Sequence, residues 1–127
     1  MTVIVTDAGF GPETWTHGFE AEGVLDLPSD TDPATLEVPE GTEMIRVAFP
    51  SFSDGRGFTL ARLLRLRGYR GRLRAAGHVI SDQYAMARRA GFDEVEISDE
   101  LAARQPEADW EFRADWRAHD YQARLRG

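Results

Sequence analysis

Between residues 44 and 98 the spacing of apolar positions switches twice from strand-like to helix-like. The apolar run at 45–49 has the length of a strand. It leads into a segment at 58–67 where Leu60, Ala61, Leu63 and Leu64 share one helical face, leaving Arg62, Arg65 and Arg67 largely outside it. A second apolar run at 72–76 leads into a helical segment at 82–90, where Tyr84, Ala87 and Ala90 mark a weaker apolar face. The pairs Gly68-Tyr69 and Gly91-Phe92 close these helices, each giving a glycine for a left-handed C-cap and an aromatic that packs back on the helix. A third run at 94–97 completes a βαβαβ unit over 44–98, which predicts a parallel sheet with right-handed crossovers.

The flanks carry weaker patterns. Residues 3–6 predict a short strand, and 23–27 a second strand or an edge hairpin with the first. Residues 28–41, PSDTDPATLEVPEG, read as a turn-rich connector with one short helix or turn near 32–36. Residues 106–126 predict a helix opened by Pro106, with Asp109/Arg113 and Asp120/Arg124 at i,i+4 spacing. Its aromatics, Trp110, Phe112, Trp116 and Tyr121, spread over more than one face. Core packing is the expectation for them, with contact to a partner chain left open for some. The fold class expected for these 127 residues is a single α/β domain: a βαβαβ core, a mainly parallel sheet of about four or five strands, and a C-terminal helix. Such a sheet also leaves pairing of two copies as a homodimer open.

Composition narrows the chemistry. With no cysteine in the chain, disulfides, thiolate metal sites, cysteine-ligated clusters and thiol redox chemistry are all excluded. Neither a basic leader followed by a long apolar stretch nor a run near the roughly 18 apolar residues of a membrane helix occurs, so a soluble, cytoplasmic protein is expected. Residues 1–45 hold ten acids and no Lys or Arg; 46–92 hold ten Arg and two acids, Asp54 and Asp82; 93–127 hold ten acids and five Arg. Such asymmetry can report a partner or ligand. All fifteen basic residues are Arg, whose planar fork pairs with carboxylates and oxyanions in a two-pronged way that Lys cannot match. The formal charge of −7 opposes attraction to a phosphate backbone, so no nucleic-acid partner is expected.

In an open parallel sheet, ligands gather beyond the carboxyl ends of the strands, where 50–57, 77–83 and 98–99 would meet. The stretch 49–65, FPSFSDGRGFTLARLLR, places a helix N-terminus, two glycines and an arginine there. Helix N-termini favour anions through unpaired N–H groups and the helix dipole. Ser53, Gly55, Arg56, Gly57, Arg74 and Gln83 are therefore the candidates for holding a small oxyanion such as sulfite, sulfate or phosphate. Asp54, His78 and Asp82 are the candidates for moving a proton or positioning the arginines. The purely architectural alternative uses the same residues. Ser53 or Asp54 caps the first helix, Gly55 and Gly57 shape the turn, Arg56 pairs with Asp54 or Asp82, and Ser81 or Asp82 caps the second helix. Both roles fit one corner, because both need the same glycines and helix terminus. The stretch lacks the Gly-Lys-Ser/Thr of a phosphate-binding loop and is no GxGxxG dinucleotide fingerprint. His17, His78 and His119 form no metal-ligand pair by spacing, and no metal site is expected.

The block Phe49, Pro50, Phe52, Asp54, Gly55, Arg56, Gly57 and Phe58, followed by Arg74, Ala75, Gly77, Asp82 and Gln83, resembles the bacterial domain-of-unknown-function family 934. Residues 91–97, GFDEVEI, continue the likeness, which covers about 44–97, with looser flanks. The chain departs from the family pattern at His78, where an acid is expected after Gly77. Members carry the label of oxidoreductases in sulfite reduction. The resemblance implies a place in assimilatory sulfate and sulfite reduction, with sulfite reductase or its electron donor as partner. Two roles follow as expectations: an accessory protein that docks on that machinery and carries a small oxyanion site, or a small enzyme or carrier acting on sulfite itself. No cofactor is identified from the residues, which leave a flavin held by backbone and arginine contacts open.

Overall fold

The apolar runs pair into a six-stranded sheet in the computed structural model, which describes residues 2–15 and 23–113. In chain order the elements are β1 (Thr2–Thr6), β2 (Gly9–Gly11), β3 (Val24–Leu27), β4 (Met44–Phe49), α1 (Arg56–Leu66), β5 (Arg72–Gly77), a 3-10 turn (Ser81–Gln83), α2 (Tyr84–Ala90), β6 (Glu94–Ser98), α3 (Asp99–Arg104) and α4 (Glu107–Arg113). The strand order is β2-β1-β6-β5-β4-β3. Strands β3 to β6 run parallel, while β1 lies antiparallel to both β6 and β2. The expected α/β class and βαβαβ core are thus present.

The sheet is wider than the expected four or five strands, for a local reason. Gly9-Phe10-Gly11 is too short to show an alternation, yet Gly9, at φ +103, lets the chain reverse after Asp7-Ala8 and pair with β1. That hairpin is made by β2, not by β3. Strand β3 occupies the opposite edge, parallel to β4. The connector after it forms turns near residues 32–35 and lays Leu36 and Val38 against the core.

Alternate residues of the strands face the helices. Val5, Ile45, Val47, Phe49, Leu73, Ala75, Val95 and Ile97 join Leu60, Ala61 and Leu64 of α1, Tyr84, Ala87 and Ala90 of α2, and Trp110 of α4 in one buried cluster. Gly68 and Gly91 take positive φ at the helix ends as expected, and the aromatics after them turn back, Tyr69 N–H to the Leu64 carbonyl and Phe92 N–H to the Ala87 carbonyl. Trp110 is buried, donates its indole N–H to the Gln105 carbonyl at 2.8 Å and stands edge-on to Tyr84 at 6.1 Å. The rest of the expected C-terminal helix, with Trp116 and Tyr121, lies outside the described residues.

The opposite face of the sheet carries no helix from that cluster. Met44, Arg46, Arg72, Arg74, Glu94 and Glu96 alternate with the core positions there. Segment 12–15 reaches over this face, with Glu13 on Arg74 and the Arg72 guanidinium 5.9 Å from the centre of the Trp15 ring.

Phe49, at the end of β4, fixes two glycines. A Cβ on Gly57 would lie 2.5 Å from its ring, and one on Gly77 would lie 2.6 Å from its carbonyl oxygen, with Gly77 also at φ +119. Gly57→Ala is expected to destabilise by about 1–3 kcal/mol, as overpacking does. Gly77→Ala should cost more, because backbone cannot yield and the dihedral is strained. Urea unfolding of the two variants checks the order.

Candidate functional site

The carboxyl ends of β4, β5 and β6 bring three loops together, as an open parallel sheet requires. The first holds a clamp. Asp54 accepts from the Arg56 backbone N–H at 3.1 Å, from Arg56 Nε at 3.0 Å and from Arg56 Nη2 at 2.8 Å. Ser29, buried in the turn two residues beyond β3, donates to Asp54 at 2.8 Å and accepts from Arg56 Nη2 at 3.3 Å. The Arg56 guanidinium beside Asp54, and then the Ser29 hydroxyl, hold the Asp54 carboxyl well below the usual carboxylate range. The same carboxylate raises Arg56 above its ordinary value. Helix α1 starts two residues before the expected 58, with Gly55 at its N-cap and no side-chain cap bond there. Asp54, bonded to the Arg56 N–H and side chain, closes the turn instead.

Gly57 is buried, and a side chain there would run into the Phe49 ring. Ser53 faces Ser51, with the hydroxyls 2.9 Å apart. Gln83 joins the first and second loops: its side chain donates to the Phe52 carbonyl at 2.6 Å and accepts from the Ile80 N–H at 3.0 Å. Neither Ser81 nor Asp82 caps the second helix, since Ile80 precedes the 3-10 turn and Gln83 closes it. Ser81 instead donates to Gln105 at 2.7 Å, and Asp82 is exposed. His78 is exposed; its backbone N–H bonds the Phe49 carbonyl at 2.9 Å, and it borders a cleft of about 230 Å³ with Ser98, Glu100 and Arg104. His17 and His119 lie outside the described residues.

Arg74 does not join this corner. It stands in the first half of β5, on the face away from α1, and its side chain is 0% exposed. Its guanidinium meets both oxygens of Glu13 at 2.7 and 2.6 Å, Glu96 at 2.8 Å, and Glu94. Burial pulls the Arg74 pKa down, but its bonds to Glu13 and Glu96 and the charge of Glu94 outweigh this and leave it above its ordinary value. Burial likewise opposes ionisation of Glu13, while Arg74 and then Arg72 bring its carboxyl below the usual range. The network continues through Arg46, 3.2 Å from Asp26 and 3.6 Å from Glu96. Arg46 and Arg74 are register neighbours on β4 and β5, so two like charges sit side by side and Glu96 lies between them.

Two of the helix arginines, Arg65 and Arg88, are less solvated than their spacing predicts, whereas Arg62 and Arg89 are exposed. Arg65 donates to the carbonyls of Gly91, Tyr69 and Gly71 and to Asp93, which ties the end of α1 to both neighbouring turns. Arg88 binds Asp7 and the Phe92 carbonyl. No local signal marks the residues missed by sequence reasoning, Ser29, Glu13, Glu94, Glu96 and Gln105. Ser29 lies 25 residues from Asp54, and Glu13 lies 61 from Arg74.

Among the described residues, the fold and this edge define an α/β protein with its helices on one face of the sheet and a charged clamp, Asp54 with Arg56, in its strand-end loops. The sequence model of the family described as bacterial protein of unknown function (DUF934) matches residues 24–127, and the chain belongs to that family. No curated protein and no solved structure matches it.

Two outcomes test these assignments. Arg74→Met should cost about 3–5 kcal/mol in denaturant unfolding, because it leaves buried carboxylates uncompensated. Asp54 has a depressed folded pKa, so its contribution is complete above the unfolded value near 4 and lost as pH falls toward the folded one. Asp54→Asn should therefore be less stable than wild type at pH 7, with the gap narrowing progressively below about pH 4.

Proposed function

We propose that this protein is an accessory component of assimilatory sulfite reduction that docks on sulfite reductase or on its electron donor. The pathway is the one implied by the resemblance of the SDGRG block to proteins labelled as acting in sulfite reduction. The use made of that block supports docking over turnover. Asp54, Arg56, Gly57, Gly77 and Gln83 interlock the strand-end loops, and Arg74 is absorbed by Glu13, Glu94 and Glu96 beneath the sheet. These residues build a firm presenting edge rather than converge on one reacting atom.

A weak oxyanion contact belongs to the same reading. Arg56 is 62% exposed and borders a cleft of about 210 Å³ with Ser29, Thr31 and Thr59. An anion arriving there competes with Asp54, only 2.8 Å from Nη2. This cleft is also what favours the second reading, a carrier or small enzyme acting on sulfite or a related oxyanion.

Calorimetric titration of sulfite, with sulfate and phosphate as competitors, should give saturable binding no tighter than roughly millimolar, lost in Arg56→Ala. Sedimentation with purified sulfite reductase and with its electron donor should show a complex with one of them. Failure of both complexes would sink the docking role, and sulfite turnover by the isolated protein would establish the second reading.

A further inference from the structure

The cleft beside Arg56 is built from two segments far apart in sequence, the turn after β3 and the first residues of α1. Thr31 closes that turn, donating its N–H and its hydroxyl to the Pro28 carbonyl at 3.1 and 2.6 Å. Arg67 then binds the Pro33 and Leu36 carbonyls and fastens the connector to α1. Pro33 and Leu60 give the cleft an apolar wall, while Ser29, Thr31 and Thr59 give it hydroxyls. Its volume of about 210 Å³ is roughly seven times what a water molecule takes in the liquid, room for a molecule of roughly six to nine non-hydrogen atoms.

Two opposite charges line this space. Arg56 engages Asp54 and Ser29 through Nε and Nη2, and Nη1 takes no part in those bonds. Asp30, exposed on the turn after β3, borders the same cleft. Asp54 above all, and Asp30 more weakly, favour the charged form of Arg56, so Asp30 stands within electrostatic reach of a guanidinium whose hydrogen bonds go elsewhere. One guanidinium beside two carboxylates leaves negative charge in excess, which disfavours a bare anion. A bare cation would answer Asp30 and leave Nη1 unused. A molecule carrying both charges answers both, and the nearness of Asp30 to Arg56 requires that they stand close together in it.

We propose that this cleft binds a small α-amino acid, with its carboxylate on Arg56 Nη1 and its ammonium on Asp30. The inference rests on the oxyanion contact proposed above, and takes the oxyanion to be a carboxylate that brings its own counter-charge. An α-amino acid holds its two charged groups on one carbon, which meets the close spacing. Guanidinium and carboxylate are matched donors and acceptors, and the cleft hydroxyls can complete the bonding of the carboxylate. The wall of Pro33 and Leu60 accommodates a short side chain, whereas an aromatic amino acid exceeds the volume available.

The test titrates L-alanine, L-serine and L-valine into the full chain by calorimetry. Propionate and ethylamine, which are alanine without its ammonium and without its carboxylate, are titrated beside them, and sulfite in parallel. At least one amino acid should bind saturably, roughly tenfold tighter than either half-molecule. Asp30→Asn, at an exposed position, should weaken the amino acid roughly tenfold and leave sulfite bound as tightly or more so. Thr59→Phe, which fills the cleft from an exposed helical position, should block the amino acid while thermal unfolding stays unchanged. The proposal is overturned if none of the three amino acids binds, or if a half-molecule binds as tightly as the whole. It is equally overturned if Asp30→Asn or Thr59→Phe leaves amino-acid affinity unchanged. Sulfite bound without any amino acid would remove this ligand and leave the oxyanion contact standing. An amino acid bound without sulfite would keep this ligand and remove the contact with a bare oxyanion.

Discussion

A guanidinium withdrawn wholly from water needs its charge answered by the protein, and Arg74 is such a group in the middle of the sheet. Glu94 and Glu96 come from the neighbouring strand and Glu13 from the segment that crosses over the strands. The arrangement dictates which face can take helices. With Arg46, Arg72, Arg74, Glu94 and Glu96 on one side, the apolar alternation of β4, β5 and β6 is concentrated on the other, and the helices pack there. The strap at 12–15, with Trp15 beside Arg72, supplies cover that a second helical layer gives in doubly covered sheets.

The uneven charge along the sequence has an internal explanation. Acids of the first third reach arginines of the middle third through Asp7–Arg88, Glu13–Arg74 and Asp26–Arg46. Acids that follow the middle third do the same through Asp93–Arg65, Glu94–Arg72 and Glu96–Arg74. Much of what resembles an electrostatic signal for a ligand is complementarity between segments distant in sequence and adjacent in space.

The central β4-α1-β5-α2-β6 unit was legible because each element carries its own evidence: a strand-length apolar run, a helical stripe, and Gly68 or Gly91 to end it. The hairpin strand β2 was not, since three residues cannot display a period. The site was only half legible. Asp54 with Arg56 is a contact between residues two apart, and local chemistry pointed to it. The burial of Arg74 was hidden, because an arginine alternating with core residues on a strand looks solvent-facing until the strap over it is known. Its carboxylate partners lie 20 and 22 residues ahead and 61 behind, and no spacing rule spans such distances.

The hairpin at the N-terminus has a consequence for where this unit can be cut. The family match begins at residue 24, yet β1 pairs with β6 from Val95 to Ser98 and Glu13 sits on Arg74. A chain trimmed to the match would bare the edge of β6, with Val95 and Ile97 beside it, and strip one carboxylate from the buried cation. An unpaired edge of that kind recruits strands from other molecules. Poor solubility of the shortened protein would then report a missing strand of the fold, and the natural unit of folding here is larger than the unit of sequence likeness.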